Sequence, residues 1–144
     1  MKQIFTGIEI NAPVEKVWTV LTNFKEYSKW NPFITSVIGD IKEGSKFIVT
    51  LEQEDSRPMV FKPKCIKFEK NKEFKWLGHL FFSGIFDGEH AFELIKMSEE
   101  KTNFIQKESF KGLLVPFLWK QLNTKTRKGF NAMNEKIKEL SEIN

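Results

Sequence analysis

Three polar residues stand where two consecutive predicted strands should carry apolar side chains: His90, Gln106 and Glu108. The strands are predicted over 85–97 and 102–111, and alternation puts each polar residue on a face that it shares with phenylalanines. Buried polar groups cost free energy unless they are hydrogen-bonded. The sequence therefore predicts a polar patch in an apolar interior, where an imidazole, an amide and a carboxyl group could hold the oxygen or nitrogen atoms of a ligand.

The pairing of these two strands follows from the short turn predicted between them at 98–101. A turn centred near Glu99 sets His90 directly opposite Glu108, and Phe92 opposite Gln106. A slip by two residues would make these groups diagonal neighbours, still within reach of one another. A buried histidine beside a glutamate can act as a general base, so acid–base catalysis is one hypothesis. A His–Glu–Gln network that satisfies itself and fills the core is the alternative, and the residues leave both open.

The preceding strand, predicted over 73–81, turns Trp76 and Gly78 inward, and Gly78 leaves room above the sheet. His79 then points outward or lies near the open end of the strand. Because His79 and His90 lie on opposite faces, we predict no metal site. No motif predicts a cofactor.

A long amphipathic helix is predicted over 116–143, because apolar residues recur there at helical spacing: Leu118, Leu122, Phe130, Met133, Ile137 and Leu140. Gly129 lies in the middle of this helix and costs about 1 kcal/mol relative to alanine. We therefore expect another group to approach the backbone closely at Gly129. A single apolar stripe also needs a surface to cover it, which indicates a sheet curled around the helix.

The rest of the chain is predicted as strands and two short helices. Short helices are expected after Asn11 and from Phe24 to Trp30, the second ended by Asn31-Pro32. The predicted strands, with the three given above included, are 4–10, 34–41, 46–52, 59–69, 73–81, 85–97 and 102–111. Pro63 suggests an edge position or a bulge in the fourth of them.

Composition narrows the classes of function. The 144 residues predict one domain, with fifteen Phe and four Trp against one Tyr, which suits either an oversized core or an apolar pocket. A net charge of +4 from interspersed charges argues against a nucleic-acid partner. The lysine-rich stretch 61–76 leaves an anionic surface partner as an alternative. The N-terminus does not read as a secretory signal and no apolar run is long enough to span a membrane, so we expect a cytoplasmic protein.

The order of elements and the local motifs resemble the START-related superfamily, also called SRPBCC or birch-pollen-allergen-like. The chain is most similar to small bacterial proteins of the polyketide cyclase/dehydrase type. The residues that carry the resemblance run through the whole chain: Ala12-Pro-Val-Glu-Lys-Val-Trp18, Leu21, Phe24, Tyr27, Trp30-Asn-Pro-Phe33, Gly39, Gly44, Trp76-Leu-Gly78, Gly88-Glu-His-Ala-Phe92, Thr102, Gln106, Glu108-Ser-Phe110, Gly112, Phe130, Met133-Asn134 and Leu140.

The resemblance implies an α+β helix-grip fold, in which a curved seven-stranded antiparallel sheet wraps around the long C-terminal helix and two short helices follow the first strand. It also implies a deep apolar cavity between sheet and helix that binds lipids, polyketides or other hydrophobic molecules, with chemistry in a minority of members. A shared fold does not identify a reaction, so no catalytic set is carried over. The phenylalanines, Phe81-Phe82 among them, could instead fill much of the cavity.

Our leading hypothesis is a protein that binds a hydrophobic small molecule, as a monomer or weak homodimer. The predicted ligand-binding residues are Trp30 and Phe33 at the mouth, with Trp76, Phe92, Phe110, Trp119, Leu122 and Phe130 as walls and His90, Gln106 and Glu108 for polar groups. The second hypothesis is a cyclase, dehydratase or hydrolase that uses His90 and Glu108 as acid and base. The third is a filled core with a surface function in the lysine-rich hairpin.

Overall fold

The structure is a computed structural model that describes residues 1–80 and 82–143. Its strands are β1 Lys2–Ile10, β2 Ile34–Ile38, β3 Ile48–Leu51, β4 Met59–Phe61, β5 Lys64–Glu69, β6 Glu73–Leu80, β7 Phe86–Ser98 and β8 Lys101–Lys111. Its helices are α1 Val14–Thr22, α2 Tyr27–Trp30, α3 Val115–Gln121 and α4 Arg127–Ser141. A 3₁₀ turn (Phe24–Glu26) precedes α2, and a π-helical segment (Leu122–Thr126) joins α3 to α4.

The strands form two antiparallel sheets. The larger sheet has five strands in the order β1-β8-β7-β6-β5, and the smaller has three in the order β2-β3-β4. The α+β helix-grip architecture, with a long C-terminal helix against a large antiparallel sheet, is confirmed. The prediction of a single seven-stranded sheet is wrong, because the described residues contain eight strands divided between two sheets.

The division arises at Pro63. One strand was predicted over 59–69, but Lys62 and Pro63 lie outside any strand and separate β4 from β5. Proline has no backbone N–H to donate to a ladder, so pairing is interrupted there. An isolated bridge between Lys46 and Lys64 links the two sheets at this point, and the Phe47 N–H donates to the Pro63 carbonyl at 3.2 Å beside it.

The two predicted short helices are confirmed at one end of the fold. Helix α1 buries Val14, Val17, Trp18 and Leu21, which follow at i, i+3, i+4 and i+7 on a single face. After α2, the Asn31 side-chain oxygen accepts hydrogen bonds from the backbone N–H groups of Phe33 and Ile34, both at 2.9 Å. This turn directs the Phe33 ring into the core, where the residue is fully buried.

The C-terminal helix lies against the inner face of the larger sheet and buries Phe130, Met133, Asn134, Ile137 and Ser141 of α4. The expected close approach at Gly129 is confirmed. A Cβ atom placed at Gly129 would lie 2.8 Å from Cε1 and 3.0 Å from Cγ of Phe33. Glycine is thus required here because the Phe33 ring packs directly on the helix backbone.

The last hairpin has the predicted register, with His90 opposite Glu108 and Phe92 opposite Gln106. In β6, Trp76 and Gly78 are buried and His79 is exposed, as predicted. Strand β6 ends at Leu80, and the predicted contribution of Phe81 falls outside the described residues. None of the helices in residues 1–80 and 82–143 is both long enough and apolar enough to cross a membrane.

Candidate functional site

A cavity of about 70 Å³ opens between the larger sheet, the smaller sheet and the π-helical segment. Most of its lining is apolar, and Glu108 supplies a carboxyl group. The lining residues are Leu51, Gln53, Met59, Phe61, Gly78, His79, Leu80, Phe86, Gly88, Glu108, Phe110, Leu122 and Thr126. It has the character of a small-molecule site, concave and apolar with few polar groups.

The floor of the cavity is a pair of glycines. Gly78 of β6 and Gly88 of β7 are directly opposed in the sheet, and both are buried. A Cβ atom at Gly78 would lie 3.2 Å from the Phe61 ring, and one at Gly88 would lie 3.3 Å from Cδ of Glu108 and closer still to its Oε2. The missing side chains therefore provide the space into which the Phe61 ring and the Glu108 carboxylate project.

The roof of the cavity includes the π-helical segment. Its first and last residues, Leu122 and Thr126, both line the cavity. Thr126 is buried and its hydroxyl oxygen accepts a hydrogen bond of 2.9 Å from the Gln53 side-chain amide, which ties the roof to the loop after β3. Single π turns inside α-helices are rare and occur frequently at functional sites.

Glu108 joins the cavity to a buried polar chain. The Glu108 side chain is 15% exposed, and its Oε1 lies 3.4 Å from Nδ1 of His90, whose side chain is 2% exposed. On the other side of the imidazole, Nε2 lies 2.9 Å from Oε1 of Gln106. The predicted arrangement of His90, Gln106 and Glu108 on inward faces is therefore present.

The chain continues to the C-terminal helix and the first strand. The Gln106 amide nitrogen donates to Oδ1 of Asn134 at 2.7 Å, and Asn134 Nδ2 donates to Oγ1 of Thr6 at 2.9 Å. The Thr6 hydroxyl donates in turn to the Gln106 backbone carbonyl at 2.7 Å. Sequence analysis missed Thr6 and Asn134, although each is a polar residue at an apolar position of its own element's pattern.

Aromatic rings enclose His90. The ring centroids of Trp76, Phe92 and Phe130 lie 4.9, 4.6 and 4.8 Å from the imidazole centroid. Phe33 packs edge-on against Phe130 at 5.5 Å. This half of the interior is closely packed, and its aromatic residues contact one another.

The predicted ligand-binding residues thus fall into two groups. Glu108, Phe110 and Leu122 line the cavity. The cavity lining does not include Trp30, Phe33, Trp76, His90, Phe92, Gln106, Trp119 or Phe130. Trp30 packs on Tyr27 at 5.1 Å, and Lys2 Nζ lies 5.5 Å from the centroid of the Trp119 ring. Direct contact between these residues and a ligand stays a prediction.

Sequence analysis missed the residues of the smaller sheet that close the cavity, Met59 and Phe61, and the glycine floor at Gly88. A signal for the floor existed. Gly78 and Gly88 both lie on inward faces of consecutive predicted strands, and a short connection brings two such positions together. No local signal marks Met59, since β4 carries only three residues.

His79 lies on the opposite face of the sheet from His90, and its Nδ1 lies 2.6 Å from Oδ1 of Asp87. Partial desolvation opposes ionisation of Asp87, but hydrogen bonds from His79 and from the Gly84 N–H outweigh it and hold the pKa of that carboxyl below its usual value. Within residues 1–80 and 82–143, no three His, Cys, Asp or Glu side chains come together in a way that could hold a metal ion.

Solved structures of the same fold are numerous. The Zhui aromatase/cyclase from a Streptomyces species superposes with a TM-score of 0.79 at 13% identity, covering 98% of this chain and 93% of that chain. A norcoclaurine synthase from Thalictrum flavum, a point mutant in complex with a transition-state analogue, gives 0.75 at 16% identity, covering 97% and 93%. A hypothetical protein from Helicobacter pylori gives 0.79 at 15% identity, covering 98% and 88%. At these identities the likeness shows the fold alone.

No curated protein matches the sequence significantly. A family match does extend over residues 1–142, to the family described as polyketide cyclase/dehydrase and lipid transport. This agrees with the resemblance to the SRPBCC superfamily and with the helix-grip architecture. The chain belongs to the polyketide cyclase/dehydrase and lipid transport family.

Proposed function

We propose that this protein binds a hydrophobic small molecule in the cavity between the sheet and the C-terminal helix. The observation that carries the proposal is the glycine-floored apolar cavity with the Glu108 carboxyl at its edge. The family contains proteins of cyclase, dehydrase and lipid-transport type, which supports an apolar ligand.

The size of the cavity limits the ligand. A cavity of about 150 Å³ accepts benzene, which is roughly twice the volume available here. A ligand the size of benzene therefore fits only if side chains that line the cavity move aside. Met59 and Leu122 are suited to this, because Met59 is 40% exposed and flexible and Leu122 is only partly buried. We expect a compact ligand, or a longer one that displaces these two side chains.

The first experiment is native mass spectrometry of freshly purified protein, followed by denaturing extraction and identification of the released molecule. A stoichiometric apolar molecule is the expected result. A clean apo mass, with no thermal shift from a panel of lipids and small aromatic compounds, would contradict the proposal.

A matched pair of variants tests the location. Leu122 of the π-helical segment lines the cavity. Leu118 lies one turn earlier, in α3, is also partly buried against the core and does not line the cavity. Leu122→Trp should fill the cavity and weaken ligand binding by about tenfold or more. Leu118→Trp should leave binding nearly unchanged. Equal effects of the two substitutions would place the ligand elsewhere.

A second candidate function is acid–base catalysis of a cyclase, dehydratase or hydrolase type. It is favoured by the 3.4 Å approach of His90 Nδ1 to Glu108 Oε1, since Glu108 also reaches the cavity. Such a pair could move a proton to or from a bound substrate. The molecule released in the first experiment defines the class of substrate to test.

In the catalytic case, Glu108→Gln should abolish turnover, while binding of the same molecule remains within a few-fold of the original protein. His90→Gln should do the same, because glutamine cannot relay a proton. Turnover that survives both substitutions would exclude this pair as the acid and base, and would leave the binding function untouched.

A further inference from the structure

The side chains of Glu108, His90, Gln106, Asn134 and Thr6 form the buried polar chain. Two backbone carbonyl groups, which can only accept hydrogen bonds, determine the direction in which its members donate. The backbone carbonyl of Gln106 receives the Thr6 hydroxyl at 2.7 Å, and the backbone carbonyl of Phe130 lies 3.4 Å from the Gln106 amide nitrogen. Because a carbonyl never donates, the Thr6 proton must point toward Gln106, and the Gln106 NH₂ group must point toward Phe130.

Every other donor and acceptor in the chain follows from these two. The Thr6 oxygen, having given its only proton, accepts from the Asn134 NH₂ group. Asn134 therefore presents its oxygen to the Gln106 NH₂ group. Gln106 is then left with its side-chain oxygen facing His90 Nε2 at 2.9 Å, so Nε2 must carry a proton.

The reversed orientation of the two amides is unfavourable. With both turned over, the Gln106 side-chain oxygen would face the Phe130 carbonyl, and the Asn134 oxygen would face a Thr6 hydroxyl whose proton is already committed. Two acceptor–acceptor contacts would then lie in a fully buried region, since Gln106 is 0% and Asn134 1% exposed. Such unpaired buried groups are costly, so the direction of the chain is determined.

The consequence appears on the other side of the imidazole. With the proton held on Nε2, a neutral His90 turns the lone pair of Nδ1 toward Glu108 Oε1 at 3.4 Å. At 3.4 Å this approach is longer than an ordinary hydrogen bond. Oε1 is thus the oxygen that faces His90, and Oε2 is left to accept a hydrogen bond from a ligand.

The Oε2 atom of Glu108 is the oxygen that lies over Gly88, at the floor of the cavity. We infer that this cavity selects a compact, uncharged apolar ligand that carries a hydroxyl group, with the hydroxyl donating to Glu108 Oε2. This inference rests on the proposed binding function and specifies its ligand class. An ammonium ligand is disfavoured, because desolvation of its charge in an apolar cavity can cost more free energy than its attraction to Glu108 contributes.

The proton arrangement can be tested without a ligand, by ¹⁵N NMR of the two histidines, with His79→Gln assigning the His90 signals. We expect His90 as the Nε2–H tautomer or as imidazolium. An Nδ1–H tautomer would overturn the inference. Thr6→Val should disturb this state, because it breaks the chain, whereas Thr102→Val should not. Thr102 is an equally buried hydroxyl on the same sheet that donates to Ala12, outside the chain.

The ligand class is tested with three probes of matched size: ethylbenzene, benzyl alcohol and benzylamine in its ammonium form. Benzyl alcohol should bind about three- to tenfold more tightly than ethylbenzene, the worth of one net hydrogen bond. Benzylamine should bind most weakly. Ethylbenzene at least as tight as the alcohol, or benzylamine tightest, would overturn the ligand class while leaving the binding function intact. No binding by any probe would contradict this ligand class, while native mass spectrometry decides the binding function and NMR decides the proton arrangement.

Variants at Glu108 separate hydrogen bonding from charge. Glu108→Gln should retain the preference for benzyl alcohol over ethylbenzene, because its NH₂ can donate to His90 Nδ1 while its oxygen faces the cavity. Glu108→Met has a similar shape without an acceptor of this kind, and should abolish the preference. A preference that persists in Glu108→Met would show that Oε2 is not the group that meets the hydroxyl.

Discussion

The contact between Gly129 and Phe33 allows a test in which two known effects oppose each other. In an exposed helix interior, Gly→Ala stabilises by about 1 kcal/mol. At Gly129 the new Cβ atom would lie 2.8 Å from Cε1 and 3.0 Å from Cγ of Phe33. The ring cannot simply move away, because Phe33 is fully buried and packs on Phe130 at 5.5 Å. Overpacking of this kind costs about 1–3 kcal/mol.

We therefore expect Gly129→Ala to lower the free energy of unfolding by about 1–2 kcal/mol, at the upper end of the difference between the two effects. Chemical denaturation measures this directly, and the slope with denaturant should not change. A matched control is Gly7→Ala, because a Cβ atom there meets nothing closer than 3.7 Å. Gly7→Ala should be neutral, or stabilising by about 0.5–1 kcal/mol.

A double-mutant cycle identifies the cause. In a Phe33→Leu background the ring is gone, so Gly129→Ala should lose most of its cost, with a coupling energy of about 1 kcal/mol or more. If Gly129→Ala stabilises the protein by about 1 kcal/mol, helix propensity alone governs the site and the packing argument fails. If the cost is unchanged without the Phe33 ring, some other contact causes it.

Three further predictions follow from particular side chains. Gly88→Ala should weaken ligand binding with little change in thermal stability, because its Cβ meets only the flexible end of Glu108; equal loss of both would contradict this. Burial raises the pKa of Tyr27, the only tyrosine in the sequence, so tyrosinate absorbance should be absent above pH 10 until the protein unfolds. Because only the unfolded state ionises there, Tyr27 should make the free energy of unfolding fall above pH 10. A hydrogen bond from Lys138 lowers the pKa of Glu142 from its usual 4.5. The stability that Glu142 contributes is therefore present above that pH and lost as pH falls, so Glu142→Gln should make the free energy of unfolding fall less steeply in acid.

The faces of the last hairpin could be predicted from the sequence, and its register to within a slip of two residues, for a physical reason. Inward and outward faces are fixed by alternation, and a one-residue slip would bury the charged outer face. A turn centred near Glu99 then predicts His90 opposite Glu108, which is the register that the structure has. The sequence predicted that some group approaches the Gly129 backbone closely. It did not predict that this group is Phe33, which lies almost a hundred residues away along the chain.

The division into two sheets and the position of the cavity could not be predicted in the same way. Pro63 indicated an irregularity, but its outcome depends on which strands β4 and β5 find as partners, and these pairings are long-range. The cavity depends on the rotamers of rings such as Phe61 and Phe110, which side-chain packing determines. Alternation predicts that Trp76, Phe92 and Phe130 face inward; it does not predict that they pack on His90.

The interior is therefore divided at Glu108 into two regions of different character. Around His90 the rings are close-packed and the polar chain through Gln106 is satisfied, which gives this region the features of a stable core. On the other side, two glycines in strand interiors leave room for the Phe61 ring and the Glu108 carboxylate, and a π turn closes the small cavity beside them. Departures from regular backbone that gather around one cavity are the kind that proteins accept at functional sites, which agrees with the proposed binding function. Glu108 lies at the boundary, with Oε1 3.4 Å from His90 Nδ1, and it is the only carboxyl group among the lining residues that the structure describes.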